Sequence, residues 1–88
     1  MKITQQHLDF IVEYAIKYGA TKVLLFGSAF KNPENANDID IATDVSADLI
    51  DMFAGTLEET MRMPIDVVSL SPQTPFTKFI LHDSRVLL

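Results

Sequence analysis

Eighty-eight residues suit one domain, with a radius of gyration of roughly 12 Å if compact, and 48% apolar with 22% charged residues excludes intrinsic disorder and low-complexity tails. The lack of cysteine excludes disulfides, zinc–thiolate sites, iron–sulfur clusters and cysteine nucleophiles. With 7 basic side chains against 12 acidic ones the net charge is −5, and the basic residues are scattered, so direct DNA binding by phosphate neutralisation is not expected.

No apolar run approaches the ~18 residues that span a bilayer. Residues Met1 to His7 are polar and carry no signal-peptide core. The expectation is a cytoplasmic protein without membrane contact, organised as a single domain over residues 1–88.

In chain order, Leu8, Ile11, Val12, Ala15 and Ile16 follow the spacing of one helical face and predict a helix over about Thr4 to Tyr18. Thr4 can cap its start, and Gly19 stands where a left-handed residue ends a helix. Thr21 to Gly27 is an apolar run that predicts a buried strand. Ser28 to Asn37 is rich in loop formers. Asp38 to Thr43 alternates polar and apolar residues, the mark of a strand with one buried face. Ser46 can cap a second helix over about Ala47 to Met61, which Pro64 closes off. Ile65 to Leu70 predicts a third strand. Thr74-Pro75 predicts a capped helix start, with the helix running to about Asp83. Val86 to Leu88 can add an edge strand. The order α–β–loop–β–α–β–α, with a possible last β, implies an α/β (α+β) architecture in which helices cover a three- or four-stranded sheet.

Side chains two apart on a strand point the same way, so Asp38 and Asp40 project together while Ile39 and Ile41 face the core. Asp66, between Ile65 and Val67, faces away from them. If the second and third strands are neighbours, these carboxylates meet, and hard oxygen donors with open positions suit Mg²⁺. Asp-x-Asp alone says little, because 8 Asp in 88 residues give about 0.7 such pairs by chance. Taken singly, each acid reads more readily as a solvated surface group. Gly27-Ser28 changes the weight of the set. A strand ends there, glycine lets a phosphate approach the backbone, and serine offers a hydroxyl and an N–H.

Leu25-Phe26-Gly27-Ser28, then Asn37-Asp38-Ile39-Asp40-Ile41, then Ile65-Asp66-Val67-Val68 together resemble the minimal nucleotidyltransferases of the DNA polymerase β superfamily. Within that superfamily the chain is similar to the MntA-type antitoxins of prokaryotic HEPN/MNT toxin–antitoxin pairs. The resemblance implies a polymerase-β-like fold, a small mixed sheet flanked by helices. It implies a Mg²⁺-dependent transfer of AMP from ATP to a tyrosine hydroxyl of a HEPN-domain partner, which silences that toxin. Gly27 and Ser28 would then contact the β- and γ-phosphates. Asp38 and Asp40 would ligate two Mg²⁺ ions, and Asp66 would complete the site of the ion that activates the hydroxyl. Lys31 stands where the family often has arginine, and Asn32 where it often has glycine. Lysine neutralises a phosphate but cannot grip it in a bidentate fork.

Two functions follow from this resemblance. One is an active protein adenylyltransferase; the other is an antitoxin that neutralises its HEPN partner by contact alone. Phe76, Phe79 and Ile80 on the short last helix are the candidates for a homo- or hetero-oligomeric contact. His7 and His82, 75 positions apart, read as helix-surface residues, and Tyr14 and Tyr18 as a packed pair.

Overall fold

A computed structural model describes residues 3–88. Along the chain run α1 (Gln5–Lys17), β1 (Val23–Phe26), α2 (Ser28–Lys31), β2 (Ile39–Thr43), α3 (Ile50–Met61), β3 (Ile65–Ser69), α4 (Pro75–His82) and β4 (Arg85–Val86). The strands form one mixed sheet in the order β3-β2-β1-β4. β1 pairs antiparallel with both β2 and β4, and β2 pairs parallel with β3. The parallel pair needs a crossover, and α3 supplies it. The Cα radius of gyration is 11.9 Å. Among the described residues no helix is long and apolar enough to cross a membrane.

Both faces of the sheet are covered, unequally. On one face Leu8, Ile11 and Ala15 of α1 and Phe53 and Leu57 of α3 close over Val23, Leu25, Ile39, Ile41 and Ile65. Tyr14, Tyr18 and Phe53 pack ring against ring at the edge of this core. On the other face α4 lays Ile80 against Leu24 and Ala42, with Phe26, Val68 and Leu70 around them. This second core is small, and the row of side chains at one end of it carries the acids.

Thr4 caps α1 through reciprocal bonds: its hydroxyl accepts the His7 N–H at 3.3 Å, and its own N–H donates to His7 Nδ1 at 3.0 Å. His7 therefore has a structural task. Gly19, at φ +86°, turns the chain out of α1. Thr74 caps α4 in the same reciprocal manner with Thr77, which is buried, and Pro75 is its first helical residue.

Three elements differ from the sequence reading. Ser28 to Lys31 is a turn of helix instead of loop, because the Gly27 carbonyl accepts the N–H groups of Phe30 and Lys31 at 3.1 and 3.0 Å. Ala29, buried in the main core, and the half-buried Phe30 hold that turn down. Ser46 does not cap α3. Its carbonyl instead accepts the Leu49 N–H at 3.0 Å in a separate turn, and α3 begins at Ile50 without a side-chain cap. The final strand is Arg85–Val86, and Leu87 and Leu88 continue alongside β1 by backbone bonds to Val23.

Candidate active site

The end of β1, the start of α2 and the start of β2 meet at one corner of the sheet. Gly27 makes that meeting possible. It holds φ +70° and ψ −153°, a conformation that side-chain-bearing residues avoid. A Cβ on Gly27 would also stand 2.5 Å from Asp40 Oδ2 and 3.3 Å from Asp40 Cγ. The glycine thus does two things: it turns the chain from strand to helix, and it leaves the space that the Asp40 carboxylate occupies.

Asp40 lies in β2 directly between Phe26 of β1 and Asp66 of β3 in register. Cross-strand partners share a face, so Phe26, Asp40 and Asp66 form one row on the α4 side of the sheet. Burial is the largest cause that raises the Asp40 pKa above its usual value. The charge of Asp66, then that of Asp38, and last a side-chain hydrogen bond to Asp66 raise it further. Asp38 sits one residue ahead of β2 instead of inside it, and is exposed. It contributes one wall of an open cleft of about 250 Å³ whose other lining residues are Ser28, Asn32, Asn35, Ala36 and Asn37.

Asp38, Asp40 and Asp66 are thus electrostatically coupled. As they stand, however, no group of three or more acidic, imidazole or thiol side chains is arranged to hold a metal ion among the described residues. Donor chemistry nevertheless fits a hard divalent cation: every donor is a carboxylate oxygen, and Asp40 carries a repulsion that a cation would relieve. Lys31 is placed differently from the acids. Its ammonium pairs with Asp83 at 3.0 Å, tying α2 to the residue that follows α4. It does not line the Ser28–Asp38 cleft.

Two features of this corner escaped the sequence reading. Phe26 stands beside Asp40, which needs the β1–β2 register to be seen. Asp83 holds Lys31 across 52 positions of sequence, with no local signal to announce it. The asparagines of the cleft were visible only as turn formers, although Asn35 donates to Asn32 at 3.3 Å within the cleft wall.

No protein-family model matches the chain, and no curated protein matches it in sequence. Solved structures do match it in fold. A crystal structure of a toxin–antitoxin complex with AMP-PNP superposes with a TM-score of 0.77 at 19% identity, covering 92% of this chain and 72% of that one. The chain shares the fold of the protein it matches in that complex. The MntA–HepT toxin–antitoxin complex superposes at 0.74 with 17% identity, over 97% of this chain and 72% of that one. A Shewanella oneidensis MNT antitoxin complex with a tri-AMPylated HEPN toxin superposes at 0.75 with 17% identity, over 98% of this chain and 72% of that one. The shared fold agrees with the expected architecture, a mixed sheet flanked by helices.

Proposed function

We propose that this chain is an MNT-type antitoxin nucleotidyltransferase that pairs with a HEPN-domain toxin and transfers AMP from ATP to a tyrosine hydroxyl of that partner. The observation that carries the reading is the Asp40 carboxylate lying in the space that a side chain on Gly27 would take, with Asp40 in register with Asp66. It brings a phosphate-accommodating turn and a carboxylate pair to one corner of a fold shared with a complex solved with AMP-PNP and with one whose toxin is AMPylated.

The acceptor oxygen attacks the α-phosphorus, a P–O bond to the acceptor forms, and the P–O bond to pyrophosphate breaks. Gly27 lets the phosphate chain lie close to the backbone, and Ser28 offers its hydroxyl toward the outgoing phosphates. Asp38, Asp40 and Asp66 would hold Mg²⁺, which when bound supplies charge neutralisation at the phosphates and a lowered pKa for the attacking hydroxyl. The hydroxyl proton passes to a carboxylate of the site, and Asp40, whose affinity for a proton is raised by burial and then by the charges of Asp66 and Asp38, is the candidate to take it. Lys31, engaged by Asp83, acts on the triphosphate only as a nearby positive charge unless that pair opens.

Contact-only neutralisation is the second reading, and the Lys31–Asp83 pair favours it, because it engages the one cation of the turn elsewhere. The test is to incubate the chain with its HEPN partner, ATP and Mg²⁺ and to weigh the partner intact. Addition of AMP units supports the enzyme; an unmodified partner whose toxicity is nevertheless relieved supports contact alone.

A further inference from the structure

The row that carries Asp40 and Asp66 continues into an aromatic pair. Phe26, the cross-strand neighbour of Asp40, is half-buried and meets Phe76 edge to face, with ring centroids 5.8 Å apart and planes at 81°. Phe76 itself remains 52% exposed, although it is the second residue of α4 and is held in place by the Thr74–Thr77 cap and by Pro75. A large ring fixed at a rigid helix start and left half in solvent adds little to the core beneath it. It does present a π surface that needs no reorganisation to receive a flat ligand.

Cross-strand Cβ atoms stand about 5 Å apart, so only Phe26 separates the exposed ring from Asp40, a span on the order of 10 Å. That is the span of a nucleotide from α-phosphate to base. A ligand that satisfies both ends has a polyanionic part for the acid and Gly27–Ser28 corner and a flat aromatic part for Phe76. A single nucleotide has both. A protein acceptor would bring only the ring.

We infer that Phe76, supported by Phe26, is the stacking platform for the nucleobase of the nucleoside triphosphate. This inference rests on the nucleotidyltransferase reading above and deepens it. Stacking recognises the presence of a base more than its identity, so the platform favours nucleotides over bare polyphosphate without choosing sharply among bases.

Calorimetry with Mg²⁺ separates the two ends of the ligand. Phe76→Ala weakens ATP by about 5- to 150-fold, the loss of one base–aromatic stack, and leaves inorganic tripolyphosphate binding unchanged. The chain has no tryptophan, so Phe76→Trp introduces a single indole that can be excited apart from the two tyrosines. Its fluorescence is quenched by ATP and not by tripolyphosphate. Unchanged ATP affinity in Phe76→Ala, or equal losses for ATP and tripolyphosphate, overturns the platform alone. Quenching of the Phe76→Trp variant by a tyrosine peptide and not by ATP would reassign the ring to the acceptor. A wild-type chain that binds neither ATP nor tripolyphosphate removes the nucleotide reading and this inference together.

Discussion

Gly27 links backbone conformation to chemistry more tightly than any other residue of the site. At φ +70° an L side chain is strained, and the Cβ itself would press on the Asp40 carboxylate. The strained φ and the crowding act on different readouts. Gly27→Ala should lose about 1–3 kcal/mol of stability, because φ +70° with ψ −153° is a backbone region essentially confined to glycine. It should also displace Asp40 from its place beside Asp66, and with it whatever the carboxylates hold. The expected outcome is a folded variant with a lowered melting temperature and a loss of AMP transfer far larger than the stability loss explains. Thermal unfolding and intact mass of the partner measure the two effects on one preparation. Retained transfer in a destabilised variant would mean that Asp40 can move without consequence.

Asp44 joins elements where Gly27 joins atoms. It follows β2, and its carboxylate accepts the N–H groups of Thr21 and Lys22 at 2.9 and 3.0 Å as well as the Thr21 hydroxyl, pinning the approach to β1. Burial pushes its pKa up, but the hydrogen bonds to the charged form outweigh that and hold it below the usual carboxylate value. A carboxyl depressed in the folded state stabilises the fold above its unfolded pKa of about 3.9, and the contribution fades as pH falls through the folded value. Asp44→Asn should therefore be less stable than wild type at pH 7. The gap should narrow steadily below about pH 4, as read by urea unfolding at a series of pH values. A constant gap across that range would assign the effect to lost geometry alone.

The same scale explains what the sequence could reveal. β1, β2 and β3 were legible because apolar runs and period-two alternation are local, and the buried Ile39, Ile41 and Ile65 sit where alternation puts them. α1 and α4 were legible through their threonine caps. The start of α3 was not, because Ser46 is a strong cap signal that is used in a turn of its own. α2 was hidden for the opposite reason: its bonds converge on the carbonyl of a glycine, and its apolar anchors, Ala29 and Phe30, are only two residues among loop formers. At the site, the face shared by Asp40 and Asp66 could be read from periodicity, but their pairing could not. A slip of one residue between β2 and β3 would have sent the two carboxylates to opposite faces. The sequence resemblance bridged that gap; the register Asp40↔Asp66 states it physically.

For the whole molecule, the question is whether holding a partner and modifying it are separable. The acids stand at one corner of the sheet, on the side covered only by α4, while the larger core is built by α1 and α3 on the other side. Changing Asp38 and Asp40 together to Asn alters no buried apolar contact and moves the net charge from −5 to −3. It also removes the partly buried Asp40 charge and its repulsion with Asp66 and Asp38. Without metal the double variant should be at least as stable as wild type, and the rise in melting temperature that Mg²⁺ gives wild type through binding the folded state should vanish. Exposed apolar residues such as Phe79 and Val86 lie on α4 and β4 and are untouched by the change, so association with the HEPN partner should persist. The variant should co-purify with a partner that carries no AMP. Transfer undiminished in this variant would remove Asp38 and Asp40 from the chemistry. A Mg²⁺ response equal to that of wild type would place the ion elsewhere. Relief of toxicity by the unmodifying variant would shift the weight of neutralisation from AMP transfer to contact.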